Sequence, residues 1–152
     1  MDKNFFTAGK AVFTVEPSPE FVAKFGCADH FTFRINVSKV NDKYPTPAYF
    51  VKLLTGPDNT SDYEYLGLLD AKNGDVRLSA KSCAGESAWS VKIIRRIMNQ
   101  VFNGGGIEAI ESHGWKVHHE GRCGRCLKLL TVPTSIMTGL GPDCAAKMGL
   151  VA

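Results

Sequence analysis

No run of about 18 apolar residues occurs in the chain, so no helix of the kind that crosses a bilayer is expected. The opening MDKNFFTAGK lacks a secretory h-region and a lipidation signal, which makes a cytoplasmic location the expectation. Internal repeats and low-complexity tracts are missing, which excludes solenoids and disordered tails. No glycine-rich segment opens a helix in P-loop or dinucleotide fashion, because NGGG (103–106) follows a helical pattern instead of preceding one. Histidine is scarce, and neither Asp29-His30 nor His113 has a nucleophile or carboxylate partner in view, so neither is read as catalytic. Charge of one sign is scarce too. A net charge of +3 is too small to establish nucleic-acid binding, but it has a location: residues 113–152 carry five basic and two acidic side chains.

What is present is an ordinary folded composition, 44% apolar and 22% charged over 152 residues. In FTFRINVS, Phe31, Phe33, Ile35 and Val37 alternate with polar neighbours, the pattern of a half-buried strand. Ala11–Glu16, AYFVKLL (48–54) and YEYLGLLD (63–70) read as further strands. Asn73-Gly74 suggests a two-residue hairpin into DVRLS. Ser18-Pro19 supplies a cap and a first-turn proline for a short helix that Gly26 ends. SAWSVKIIRRIMNQVF then switches to helical period, with Ser87 as the expected cap and Lys92, Arg95, Arg96 and Asn99 on the polar face. GWKVHH is expected to be a last strand leading into the C-terminal segment. The fold class expected is α+β: a small antiparallel sheet of about four or five strands packed on one main helix. Residues 1–112 would form the sheet domain, and 113–152 a zinc-binding module packed on it.

Five cysteines without a secretory context favour metal ligands or buried thiols over disulfides. Cys27 and Cys83 stand alone and are expected to be buried thiols. Cys123-x2-Cys126 puts two sulfurs on one tight turn, a knuckle. Gly141-Pro142 then predicts a helix start that places Cys144 in the first turn, where free amides favour a thiolate. A knuckle plus a helix-borne cysteine is a treble-clef-like arrangement, and a histidine at 118 or 119 would complete one structural Zn2+ site. If GWKVHH is a strand, alternation turns one histidine away, and His119 is nearer the knuckle. The metal set expected is therefore His119, Cys123, Cys126 and Cys144.

His118-x-Glu120 and Cys123-x2-Cys126 also match the two halves of a zinc-deaminase signature, with Glu120 as proton shuttle. In such enzymes the halves lie on separate helices that converge on an open metal position. Here only Gly121 and Arg122 separate them, and Arg122 stands where proline is required. A zinc hydrolase is therefore the less favoured alternative.

HEGRCGRCLKLLTVPTSIMTGLGPDC resembles the closing element of an uncharacterised family of phage and prophage proteins, whose pattern is roughly HEGRCGRCGRxLTVPESIxxGxGPxC. NFFTAGKAVFTV, FTFRI and LTGPDNTSDYEYLG resemble other segments of that family. The resemblance implies phage origin, a zinc-type C-terminal module, and matching positions His119, Cys123, Cys126 and Cys144. Two departures bear on the site. Leu127 replaces the glycine that relaxes a knuckle turn, and Thr134 replaces the glutamate of PESI.

Lys116, Arg122, Arg125 and Lys128 surround the expected clip and could contact phosphate or a protein partner. Tyr49, Phe50, Tyr63 and Tyr65 could form a base-stacking platform, but core packing uses the same spacing and is the expectation. The functional expectation is a non-enzymatic phage accessory protein that binds a host protein or protein–nucleic-acid complex. By analogy this could be inhibition of a host defence complex, nuclease or polymerase. Direct nucleic-acid binding through the basic zinc module is the alternative.

Overall fold

The computed structural model describes residues 1–43 and 45–150. In chain order the elements are α1 (Lys3–Phe6), β1 (Lys10–Glu16), α2 (Pro19–Phe25), β2 (Phe31–Val37), β3 (Tyr49–Leu54), β4 (Tyr63–Leu69) and β5 (Val76–Arg77). They continue with α3 (Trp89–Asn103), α4 (Gly106–Glu111), β6 (Lys116–His119), α5 (Pro133–Thr138) and α6 (Pro142–Lys147). The strands form one antiparallel sheet of six, in the order β5-β4-β3-β2-β1-β6. The sheet is thus a five-strand meander extended at its β1 edge by the last strand. Among the described residues no helix is long and apolar enough to cross a membrane.

Period-two alternation decides which side of the sheet is covered. Ala11, Phe13 and Val15 of β1, Phe33 and Ile35 of β2, Val51 of β3 and Leu66 of β4 are fully buried. They share one core with Val91, Ile93, Ile94, Ile97 and Met98 of α3. The apolar stripe of α3 therefore covers one sheet face, as its helical period requires. The polar face of α3 is occupied locally. Arg95 pairs with Glu86 and donates from Nε to the Val76 carbonyl at 3.0 Å, while Lys92 and Arg96 lie over the rings of Trp89 and Trp115.

Several expectations change. The meander has five strands, within the four or five expected, and GWKVHH does supply one further strand, but β6, assigned to the C-terminal module, joins the main sheet by pairing with β1. The expected 112/113 boundary therefore falls just ahead of a strand of the main sheet. Asn73-Gly74 does not make a two-residue hairpin. Leu69 pairs with Val76 across residues 70–75, and the Asp70 and Asn73 side chains accept from Lys72 N–H and Asp75 N–H at 2.9 Å each. These local bonds make a longer loop competitive with the tight turn. Ala88, not Ser87, stands at the α3 N-cap, with no side-chain cap bond. The cap of α2 is as expected: Ser18 accepts from Phe21 N–H, and Gly26 ends the helix at φ 67°. NGGG follows α3 as expected but also leads into a second helix, because Gly106 begins α4. Cys27 is buried but Cys83 is exposed, contrary to its expected burial.

The short helix α1 joins the two ends of the chain. Asp2 caps it, and Phe5 and Phe6 are both fully buried. Phe6 meets Phe13 of β1 edge-to-face at 4.8 Å, within the main core. Phe5 lies under the C-terminal segment, where a Cβ at Gly124 would come within 2.7 Å of its ring and one at Gly139 within 2.5 Å. Those two glycines are glycines because the ring takes the space a side chain would need. Phe5→Ala should therefore destabilise the protein by about 3–5 kcal/mol, the usual range for a buried aromatic. Urea denaturation checks this against Leu129→Ala, an exposed control expected to cost under about 0.5 kcal/mol.

Candidate metal centre

The C-terminal segment folds around its cysteines. Cys123 N–H donates to the Lys128 carbonyl at 2.8 Å, and Leu127 N–H to the Cys123 carbonyl at 2.9 Å. An isolated bridge between Arg122 and Leu129 continues this narrow ribbon on its outer side. Cys144 follows Gly141-Pro142 into the first turn of α6, as the proline placement predicts. Cys123 and Cys144 are buried with Leu130 and Leu140 in a second small core, while Cys126 is exposed.

The sulfurs of Cys123, Cys126 and Cys144 lie within 4.8 Å of one another, and among the described residues no further His, Asp or Glu joins them. A metal at about 2.3 Å from each of three thiolates would hold the sulfurs roughly 3.8 Å apart, so small side-chain adjustments suffice. The surroundings favour ionised sulfur. The Gly141 and Arg125 amides donate to Cys123 Sγ at 3.3 and 3.5 Å, and Arg125 Nη1 lies 3.8 Å from Cys144 Sγ. Burial opposes ionisation of the Cys123 thiol, but the amides of Gly141, Arg125 and Cys126 overcome it and bring the thiol down to about 7. Burial and the neighbouring Cys126 thiol push the Cys144 thiol up. Three clustered cysteines with amides aimed at sulfur form a set able to coordinate a metal ion.

His119, the fourth member of the expected set, is not among the three clustered side chains. Its Nε2 hydrogen-bonds the Ile136 carbonyl at 2.5 Å, and its Nδ1 accepts from Gly121 N–H at 2.9 Å. A carbonyl only accepts and an amide N–H only donates, so in this arrangement Nε2 is the donor and Nδ1 the acceptor. With both nitrogens engaged, the ring is a strut from β6 to α5, seated 5.9 Å from the Phe5 ring centroid. His118 is on the opposite side of the strand, with Nε2 3.1 Å from the Glu16 carboxylate. Nothing in the letters HHEGRCGRC distinguishes a strut from a ligand, because carbonyl 136 becomes its partner only through the fold.

The other candidates disperse. Arg122 and Glu120 line a groove on the sheet with Lys10 and Arg34, so Glu120 does not line the groove beside the sulfurs. Lys128 lines that second groove, next to Cys126 and Cys144. Arg125 reaches toward Cys144, and Lys116 sits opposite Glu16 in the β1–β6 register. Tyr49 packs on the main core, but Phe50, Tyr63 and Tyr65 belong to neither core, which corrects the expectation that all four pack inside.

Leu127 adopts φ 66°, alone among the described non-glycine residues in having a positive φ. The missing knuckle glycine is therefore visible as backbone strain.

A family of unknown function, DUF6011, matches residues 117–149, from within β6 to just past α6. No curated protein and no solved structure matches the chain.

Leu127→Gly should raise stability by up to about 1 kcal/mol, because glycine reaches this conformation without the Cβ clash. Thermal denaturation reads the sign. Because thiolates are the ligands and protons compete for them, metal affinity should weaken as pH falls through about 7, where Cys123 protonates. It should still be rising above that pH, since Cys144 ionises later. Competition with a chromophoric chelator across pH 6 to 9, roughly bracketing the thiol range, measures both limbs.

Proposed function

We propose that this is a non-enzymatic accessory protein of phage origin, in which a structural zinc ion pins a treble-clef-like C-terminal clip and the assembled surface binds a host macromolecule in the cytoplasm. The convergence of Cys123, Cys126 and Cys144 carries this reading. Three thiolates suit zinc over harder cations, and zinc bound there would cross-link the knuckle to α6. Glu120, the residue a deaminase-like mechanism would need, lines the sheet groove instead. That placement favours a structural metal over a hydrolytic one.

The binding reading draws on the clip's outer surface. Leu129, Val132, Ile136 and Met137 are large, apolar and 46–73% exposed within one short segment. Exposure of several such side chains is costly for a free surface and characteristic of contact sites. The partner class that fits is a host protein or protein–nucleic-acid complex, with inhibition of its activity as the expected consequence.

Elemental analysis should find about one zinc per chain, falling sharply in Cys126→Ser and unchanged in His119→Ala. Metal-free, folded wild-type protein would sink the zinc reading. Affinity capture from host lysate, with and without nuclease, tests the binding reading. One specific host protein should be retained after nuclease and lost in Leu129→Glu/Met137→Glu. Retention of that protein by the double variant would remove the clip surface from consideration.

A further inference from the structure

The sheet face opposite α3 carries an unusual combination. Lys10 and Val12 of β1, Arg34 and Asn36 of β2, Phe50 and Lys52 of β3, and Tyr63 and Tyr65 of β4 alternate away from the core. None of its apolar members belongs to either hydrophobic core. The Arg34 guanidinium lies 4.3 Å from the Tyr63 ring, Lys52 pairs with Arg34 in register, and Phe50 and Tyr65 stand 6.3 Å apart. A groove of about 580 Å³ lies over the β1–β2 side of this face, lined by Lys10, Arg34, Asn36, Thr60, Glu120 and Arg122, among others. Three cations face one carboxylate there, and Lys52 adds a fourth cation beside them. The adjacent loop does not cancel this charge at close range, because the Asp58 carboxylate is turned into its own loop and accepts from Thr60 and Ser61.

Two polar atoms in this groove are unsatisfied. Arg34 Nε and Asn36 Oδ1 are buried without a hydrogen-bond partner among the described residues. One is a donor and the other an acceptor, each on a half-buried side chain, and the Arg34 guanidinium is already held over Tyr63 with Nη1 3.5 Å from the Thr60 carbonyl. A ligand that recovers both bonds must offer an anionic or strong acceptor and a donor within a few ångströms of each other.

We propose that this open sheet face binds single-stranded RNA, with phosphates over Lys10, Arg34, Lys52 and Arg122 and bases stacked on Phe50, Tyr63 and Tyr65. Interleaved cations and aromatic rings on an uncovered antiparallel sheet are what a single strand requires, since every base has a face to stack and every linkage a charge. From β1 to β4 the face spans roughly 15 Å, enough for two or three nucleotides. RNA is favoured over DNA by the orphan acceptor. The 2′-hydroxyl offers Asn36 Oδ1 a donor at every nucleotide whatever its base, whereas the DNA backbone offers none. This goes beyond the host-protein reading of the clip: it concerns a different surface and a different class of partner, and it rests on the sheet, not on the zinc clip.

Fluorescence anisotropy with a labelled oligouridylate of about eight nucleotides, in about 50 mM KCl, tests it on the full chain. Binding should weaken with salt, with a log–log slope of about −0.7 for each phosphate contacted, and Lys52→Glu should make that slope shallower. Tyr65→Ala and Arg34→Gln should each weaken binding by roughly tenfold, with Lys128→Ala as an unaffected control. If Tyr65→Ala fails to fold, the charge variants Lys10→Glu and Lys52→Glu decide. No binding at low salt, unchanged binding in Lys52→Glu, or equal affinity for oligothymidylate or duplex RNA would overturn the proposal. So would occupation of this face by a host protein alone. Zinc is measured in the same samples: RNA binding lost with zinc present removes only this proposal, and zinc lost with RNA binding present removes only the zinc reading.

Discussion

The contact on which the arrangement depends is the Phe5 ring wedged beneath Gly124 and Gly139. It sits between the two hydrophobic cores, touching the larger through Phe6 and Phe13 and the smaller through the knuckle backbone. Backbone bonds reinforce the wedge: Lys10 N–H donates to the Gly124 carbonyl at 2.7 Å, and Gly124 N–H to the Gly139 carbonyl at 2.9 Å. The N-terminal amine adds a bond to the Met137 carbonyl at 2.9 Å. The clip is thus fastened to the sheet at several points that involve no metal. An isolated zinc finger owes its folding to the ion, because nothing else orders its ligands. Here packing already orders the knuckle, so a metal coordinated there would add only the link among three sulfurs and the tie from α6 to the turn.

That fastening also sets what the sheet can present. The knuckle is anchored at the β1 edge, so Arg122 and Leu127 project over the open face and extend its groove. The helices that carry the apolar stripe are all used on the other side, since one face of α3 and one face of the sheet satisfy each other. A meander covered on one side leaves its second face to chemistry. In this chain that face is aromatic and cationic instead of merely polar.

Features set by local pattern were legible in the sequence, and features set by long-range meeting were not. Alternation in FTFRINVS assigned β2 correctly, the stripe of α3 was readable from its period, and Pro142 located the helix that carries Cys144. The strained turn at Leu127 could be foreseen because one residue type governs positive φ. The sheet aromatics show the opposite case. Tyr49 and Phe50 are neighbours and indistinguishable by propensity, yet the pleat sends one into the core and the other out. GWKVHH was readable as a strand, but β6 pairs with β1 about a hundred residues earlier, a register that neither segment reveals alone.

The two arginines of the CGRC turn show how a cluster divides labour among like charges. Three thiolates on a divalent ion leave the site with a net negative charge, which a buried cluster must have neutralised nearby. Arg125 is drawn to it, with its guanidinium against Cys144 Sγ and its amide against Cys123 Sγ. Arg122, three residues earlier, lies on the outer side of the ribbon, bonded to the Leu127 carbonyl at 3.2 Å and facing the sheet groove. From composition alone the two residues are equivalent basic contacts. In the fold one lies against sulfur and the other lines the sheet groove, so reversing the charge of both at once would confound metal retention with any binding at the surface. Reversing Arg122 alone isolates the surface.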